Sequence, residues 1–255
     1  MNILALKLIL APLIIGSASL AGRRWGPAVS GWIVGMPLTS GPVIFFLALS
    51  HGVAFAEDSA LGVLSGGISL VLYALTYSWL ATRFRWQVAI VGSILVFSLT
   101  TLYLQSVVIP LYFVIPMVVI AILAGLKFMP QGELKMEGSK ASRWDIPVRI
   151  LIGTSFILLL TGIAPYIGSR LTGLLTTIPL YVTILSVFAH RDHGFAAAVH
   201  VLRGLLYGLF AFMGFFLVLS LLIENASLGV SFGLAILTAL SIQGMSLFVL
   251  RKLHN

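Results

Sequence analysis

The chain has no cysteine and few charged residues of either sign. Without cysteine it can form neither a disulfide nor a thiolate metal site. Charged residues make up 9% of its 255 positions and hydrophobic residues 60%, whereas a soluble domain is about 25% charged. This composition excludes an ordinary soluble domain. It predicts an all-α, polytopic helical membrane protein.

Acidic residues are absent from the middle of every apolar segment. All seven lie in loops or at segment ends: Glu57, Asp58, Glu133, Glu137, Asp145, Asp192 and Glu224. No carboxylate is therefore placed for a proton relay at mid-depth. HExxH, Ser-His-Asp and P-loop patterns are also missing. We expect no enzyme, no catalytic residue, no metal site and no cofactor. Coupling to Na⁺ or protons stays open, because backbone carbonyls and hydroxyls can bind Na⁺ without a sequence motif.

Long apolar segments follow one another along the whole chain. Each is close to the roughly 20 residues that a helix needs to cross a bilayer. A polar segment at 129–145 separates the first five from the last four. We predict nine spans, at about 3–21, 27–50, 59–81, 86–105, 107–127, 146–166, 171–190, 195–222 and 227–250.

The basic residues of the loops lie almost entirely on one side of this nine-span arrangement. The opposite loops hold Arg170 alone. By the positive-inside rule, this asymmetry predicts a multi-pass protein of the plasma (inner) membrane with its N-terminus outside and its C-terminus in the cytoplasm. Topology thus explains most of the +8 net charge, and we expect no nucleic-acid partner. The eleven basic residues on the cytoplasmic side are Arg23, Arg24, Arg83, Arg85, Lys127, Lys135, Lys140, Arg143, Arg191, Arg251 and Lys252.

The sequence repeats itself at an offset of 142 positions without a gap. Glycine, proline and histidine coincide rather than interchangeable aliphatic residues, which favours a true repeat. We predict a first repeat at 1–105, a linking span and cytoplasmic linker at 106–143, and a second repeat at 144–255. Because one span separates two four-span units, the repeats should be inverted, as in secondary transporters. The matching pairs include Gly26/Gly168, Gly31/Gly173, Pro37/Pro179, His51/His193, Gly52/Gly194, Gly62/Gly204 and Gly66/Gly208.

A proline lies near the middle of the second span and another near the middle of the seventh. Proline removes a helical hydrogen bond, and the freed groups need partners inside the protein. We predict two broken helices that meet at the midplane and form a substrate site, with a milder break in the second copy. The alternative is a pair of kinks that serve packing alone. The predicted site comprises Pro37, Thr39, Ser40 and Gly41 with Thr176, Thr177 and Pro179.

Basic residues also occur inside the apolar segments. Lys7 and Arg149 occupy equivalent places in the two repeats, and Arg203 lies about 12 Å into the eighth span with His200 one turn before it. An intramembrane charge favours a functional site, so we predict that all four bind an anionic group. The alternatives are that the long cations extend to the membrane interface or that Arg203 caps backbone carbonyls.

Three functions fit these patterns. The preferred one is a secondary transporter or facilitator for a small anionic solute that works by alternating access. A flippase for an anionic lipid or a polyprenyl-phosphate carrier would use the same basic residues to bind a headgroup. A non-transporting membrane subunit would use the proline segments for packing alone. A lateral opening to lipid would favour the flippase, and a closed aqueous vestibule the solute transporter.

Overall fold

The computed structural model describes residues 3–25, 36–107, 109–132 and 145–253. In this part of the chain all regular structure is α-helical. Residues 27–35 of the predicted second span and most of the predicted linker lie outside the described residues. The helices are α1 Ile3–Trp25, α2 Ser40–His51, α3 Val53–Ala81, α4 Trp86–Ser106, α5 Leu111–Phe128, α6 Asp145–Ile167, α7 Ser169–Thr176, α8 Leu180–His193, α9 Phe195–Leu222 and α10 Leu228–Leu253.

Seven helical segments are long and apolar enough to cross a membrane. Two further apolar helices, Leu4–Ser17 and Ser40–His51, are shorter within the described residues. The chain is thus a multi-pass helical membrane protein, as its composition predicts. The count of nine spans stays a prediction. The seven segments are Val53–Ala81, Trp86–Ser106, Leu111–Phe128, Ile146–Ile167, Ser169–His193, Phe195–Leu222 and Leu228–Met245.

Helix ends recur at the offset of 142 residues. Both α1 and α6 span 23 residues, from Ile3 and from Asp145. Next, α2 and α8 end at His51 and His193, and α4 and α10 begin at Trp86 and Leu228. The breaks after the two histidines have the same backbone form, with Gly52 at φ 90° and Gly194 at φ 83°. Glycine adopts this conformation without a steric penalty. How the two copies are related in the membrane stays a prediction.

Equivalent helices of the two copies pack against each other in opposite directions. In the pair α1 and α6, Lys7 Nζ donates to Thr161 Oγ1 at 2.9 Å. Farther along α1, Gly16 lies against Ile150, which precedes Thr161 on α6. The two helices therefore run antiparallel. A second pair of equivalent helices, α3 and α9, is in contact through Gly67 and Met213. These two helices are the most buried of the seven candidate spans and form the centre of the molecule.

Small residues bring α7 against α3. A Cβ added at Gly173 would clash with the carbonyl oxygen of Ser59, and one added at Gly62 would come within 2.5 Å of the carbonyl oxygen of Arg170. Glycine therefore permits the close backbone approach here, as in other membrane helix pairs. The hydroxyl of Ser59 also donates to the carbonyl of Ser169 at 3.0 Å. This packing holds α7 against α3, so that the C-terminal end of α7 and the second proline segment lie beside α3.

Candidate functional site

The two proline segments, residues 37–41 and 176–179, touch each other. Helix α2 begins at Ser40 within the first segment, and α7 ends at Thr176, where the second begins. The Ser40 hydroxyl donates to the Thr176 carbonyl oxygen at 2.9 Å, and both residues are buried. Pro179 lies between α7 and α8. Residues predicted from the duplicated prolines are thus brought together from positions 136 residues apart.

The two threonine hydroxyls of the second segment are occupied locally. Thr176 Oγ1 donates to the Gly173 carbonyl at 2.7 Å, and Thr177 Oγ1 donates to the Leu174 carbonyl at 2.6 Å. Both threonines are buried, and Thr177 lies beside Gly66 of α3. In this arrangement their hydroxyls satisfy backbone groups of α7. A ligand would have to displace these bonds in order to use them.

At the first segment the residues differ in exposure. Pro37 and Thr39 are half-buried, whereas Gly41 is buried. Gly41 faces the ring of Phe215 on α9, and an added Cβ would lie 3.5 Å from its Cζ. The backbone N–H of Gly41 donates to the Pro37 carbonyl at 2.9 Å, which begins the helical pattern of α2.

Lys7 lies between the first helices of the two copies. Its ammonium donates to Thr161 on α6 and stands 5.8 Å from the ring centroid of Phe46 on α2. Among the described residues no carboxylate lies within ion-pair distance of it. Its equivalent Arg149 is half-buried, and the Arg149 carbonyl accepts from Tyr181 at 3.1 Å. Along α6, Arg149 is about 18 Å from Thr161, so the two cations do not share one site.

Arg203 contacts backbone oxygens at the end of α5. Its Nη2 donates to the carbonyls of Met129 at 3.3 Å and Pro130 at 3.4 Å. Carbonyls at a helix C-terminus carry partial negative charge, which a guanidinium stabilises. These contacts favour the alternative of carbonyl capping, and His200, one turn earlier, is exposed. Anion binding by Arg203 and His200 stays a prediction. Arg203 lies about 18 Å along α9 from Phe215, which places it well away from the proline segments.

A row of buried and half-buried polar side chains lies where α8 packs beside α3, and the sequence interpretation did not include it. The Tyr73 hydroxyl and Thr183 Oγ1 share a hydrogen bond of 2.7 Å. One turn along α3, the Tyr77 ring lies edge-on to the His190 ring, with centroids 6.0 Å apart. Ser186 stands between Thr183 and His190 on α8. We call these five residues the polar seam: Tyr73, Tyr77, Thr183, Ser186 and His190.

Three groups of the polar seam have no hydrogen-bond partner among the described residues. They are the Tyr77 hydroxyl, the Ser186 hydroxyl and Nδ1 of His190. Tyr77 and Ser186 are fully buried, with 0% of each residue exposed. Buried polar groups in proteins are normally paired, and each exception needs an explanation.

The positions 142 residues away form an apolar counterpart. Here α2 and α9 replace α8 and α3, and Gly41 faces Phe215 just as Thr183 faces Tyr73. None of the five side chains can form a hydrogen bond, and all five residues are buried. We call them the apolar seam: Gly41, Ile44, Ala48, Phe215 and Leu219.

A comparison of the two copies position by position would have pointed to the polar seam. Thr183, Ser186 and His190 are spaced three and four residues apart, which puts them on one face of a helix. Their equivalents Gly41 and Ile44 carry no polar group. A helix face that is polar in one copy and apolar in the other indicates a feature that the repeated fold does not itself need.

A groove lies elsewhere in the described part of the chain. This groove of about 710 Å³ runs between α3, α4 and α5 and is open on one side. Its walls are almost wholly apolar, with Leu72, Tyr103, Phe113 and Met117 among the lining residues. No residue of the proline segments or of either seam lines it. An apolar groove on the flank of a membrane helix bundle suits a hydrocarbon chain.

Acidic and basic loops lie at opposite ends of the bundle. At one end, Asp58 accepts from Ser169, and Arg170 donates to the Leu104 and Val107 carbonyls. At the other end, Trp79 Nε1 donates to the Phe128 carbonyl at 3.0 Å, next to Lys127. Within the described residues, no three His, Asp or Glu side chains are close enough together to hold a metal ion.

No protein-family model, curated protein or solved structure matches the chain. Its own residues and contacts therefore carry the functional proposal.

Proposed function

We propose that this membrane protein is a secondary transporter or facilitator that carries a small anionic solute by alternating access. The observation that carries the proposal is the hydrogen bond from Ser40 to Thr176. Through two buried residues it joins two proline segments that occupy equivalent places in the repeated sequence. Interrupted helices that meet between repeats are the usual binding site of such transporters.

Reciprocal contacts support two copies related by a two-fold axis. Under a two-fold relation, a contact between i and j implies one between the equivalents of i and j. Tyr73 with Thr183 and Phe215 with Gly41 form such a pair. The opposite directions of α1 and α6 favour an axis in the membrane plane, and hence inverted repeats. An inverted pair offers two conformations of similar energy, open to opposite sides.

The charges favour an anionic solute. Lys7, Arg149 and Arg203 lie inside the predicted spans, whereas all seven acidic residues lie in loops or at span ends. Lys7 holds its ammonium beside α2 and lacks a carboxylate partner among the described residues. Helix α2 itself begins at Ser40, and a helix N-terminus carries partial positive charge. The segregation of loop charges between the two ends supports a plasma-membrane orientation with the N-terminus outside and the C-terminus in the cytoplasm.

Transport can be tested by locking one end of the bundle. Asp58 and Ser169 are in contact at the acidic end, and the chain has no cysteine of its own. A variant with Asp58→Cys and Ser169→Cys should form a disulfide there. Proteoliposomes should take up one member of a panel of labelled carboxylates and phosphate. The disulfide should abolish uptake, and reduction should restore it.

The matched controls are the two single-cysteine variants, which should transport in both redox states. Uptake that continues at the full rate through the oxidised double variant would contradict alternating access. If no solute of the panel is taken up by the wild-type protein, the proposal of a small-anion transporter fails.

A flippase is the second candidate, and the apolar groove between α3, α4 and α5 favours it. A lipid tail could occupy the groove while its headgroup is held inside the bundle. Reconstitution with fluorescent anionic phospholipid separates the two candidates, because a flippase exposes the label to a reductant outside the vesicle. A non-transporting subunit would move neither the lipid nor the solutes.

A further inference from the structure

We propose that the polar seam binds the oxyanion group, a carboxylate or phosphate, of the transported solute. This inference rests on the proposed function and identifies the chemical group by which the transporter would recognise its solute. The seam lies between helices of different copies, α3 and α8, and starts one turn after Pro179. It thus extends the predicted midplane site toward the end of the bundle that carries Arg191 and Lys127.

The unpaired groups of the seam point to a ligand. Leaving a buried hydroxyl without a hydrogen-bond partner is unfavourable, and among the described residues Tyr77 and Ser186 are both in this state. If the polar seam served packing alone, apolar residues like those of the apolar seam would make the protein more stable. Groups that lower stability in the unliganded protein and converge on one place are typical of a binding site.

The geometry brings these groups to one level of the bundle. Tyr73 pairs with Thr183 and Tyr77 with His190, so α3 and α8 run in the same direction. Along α8, Ser186 lies about 4.5 Å beyond Thr183, and along α3, Tyr77 lies about 6 Å beyond Tyr73. Tyr77 therefore stands opposite the turn between Ser186 and His190, and the three groups lie within about one helical turn of each other along the bundle.

The hydrogen-bond donors of the polar seam and its lack of a carboxylate favour an oxyanion over a cation as the ligand. Two hydroxyls and one imidazole N–H can donate together to oxygens that hold several lone pairs. The imidazole can also take up a proton and so balance a negative charge. A cation would find no carboxylate in the seam, since the nearest acid on α8, Asp192, is exposed and paired with Arg191 at 2.8 Å. Desolvating a cation without a counter-charge is unfavourable.

The test compares two buried serines. Both Ser186 and Ser78 are 0% exposed, but the Ser78 hydroxyl is occupied, since it donates to the Ala74 carbonyl at 2.7 Å. The purified protein is melted in detergent with inorganic phosphate, acetate or succinate, each against sodium chloride at equal ionic strength. At least one oxyanion should raise the Tm of the wild type and of Ser78→Ala.

For Ser186→Ala we expect two opposite effects. Its Tm without oxyanion should equal or exceed that of the wild type, because an unpaired buried hydroxyl is gone. Its affinity for the stabilising oxyanion should fall about tenfold. Tyr77→Phe, which keeps the ring, should behave in the same way. A structural role would instead lower the Tm in chloride and leave the affinity unchanged.

A parallel experiment with lipids tells whether the oxyanion belongs to a soluble molecule or to a lipid headgroup. Nanodiscs of phosphatidylglycerol are compared with nanodiscs of phosphatidylcholine at equal salt. Stabilisation by phosphatidylglycerol that Ser186→Ala abolishes would keep the oxyanion site and assign it to a lipid headgroup. If neither a soluble oxyanion nor phosphatidylglycerol stabilises the wild type, or if both seam variants keep the full shift, the site is wrong.

The two proposals fail separately. Binding that depends on Ser186 without any uptake in proteoliposomes would keep the oxyanion site and overturn the transporter. Uptake that is insensitive to Ser186→Ala and Tyr77→Phe would keep the transporter and overturn this site.

Discussion

The polar and apolar seams occupy equivalent places in the two copies and differ in every side chain. In one, Tyr73 and Thr183 share a hydrogen bond; in the other, Phe215 packs on Gly41. The apolar seam continues into a group of rings, in which Phe215 contacts Phe232 and Phe216. The same backbone arrangement thus supports either kind of contact. The predicted duplication accounts for what the two seams share, and we propose that their differences indicate where function was added.

Energetics sharpen the comparison. Burial of apolar surface contributes about 25 cal/mol per Å², so exposing the residues of the apolar seam to water would be costly. Separation of the polar seam would give water access to the unpaired hydroxyls of Tyr77 and Ser186 and would relieve their desolvation. We therefore expect mutations in the two seams to change the free energy of unfolding in opposite directions.

The largest effect is expected when a polar group is placed in the apolar seam. Ile44 is 0% exposed, and Ile44→Ser removes a packed side chain and buries an unpaired hydroxyl. We expect the free energy of unfolding to fall by about 3–5 kcal/mol, measured by chemical unfolding in detergent. The control Ile44→Val should cost about 1 kcal/mol. An Ile44→Ser protein as stable as wild type would remove the distinction between the seams.

The next effect tests whether the copies are equivalent outside the seams. Gly52 and Gly194 have the same positive φ, in a region that is essentially restricted to glycine. Gly52→Ala and Gly194→Ala should each lower the free energy of unfolding by about 1–3 kcal/mol, and by similar amounts. A loss confined to one of them would show that the two breaks are not structurally equivalent.

A smaller contrast lies within the polar seam. Tyr73→Phe breaks the bond to Thr183 and should lower the free energy of unfolding by about 1 kcal/mol. Tyr77→Phe removes a hydroxyl without a partner among the described residues and should leave stability equal or higher. Equal losses in both variants, measured in the same detergent, would mean that Tyr77 has a structural partner.

The smallest expected effect comes from transplanting the hydrogen bond. Gly41→Thr with Phe215→Tyr recreates, in the apolar seam, the pair formed by Thr183 and Tyr73. An added Cβ at Gly41 meets ordinary contact distances. A double-mutant cycle should give a favourable coupling of about 0.5–1 kcal/mol. Zero coupling would indicate that the two seams do not share one geometry.

Sequence reasoning predicted those parts of the site that are duplicated. The proline segments and the Gly62 and Gly173 packing positions recur at a fixed offset, so the pattern itself draws attention to them. The multi-pass helical class follows from composition. The polar seam could not be predicted from periodicity, because Tyr73 and Thr183 are 110 positions apart and nothing local links them.

Arg203 illustrates the opposite limit. Its depth in the eighth apolar segment is evident from the sequence, and an intramembrane charge rightly attracts attention. Its partners are backbone carbonyls of Met129 and Pro130. Every residue carries such a group, so side-chain types cannot identify them. Only the packing of α9 against the end of α5 brings them within reach.

The central claim is that the copies open alternately around the two proline segments. The most direct measurement uses Ser186→Cys and Ile44→Cys in the cysteine-free chain, with a membrane-impermeant thiol reagent added to either side of sealed vesicles. We predict that Ser186→Cys reacts from the side of the basic loops and is protected by the transported oxyanion. Ile44→Cys should react from the opposite side, and only when the basic end is closed. Constant labelling of both positions from one side, unaffected by solute, would contradict the account.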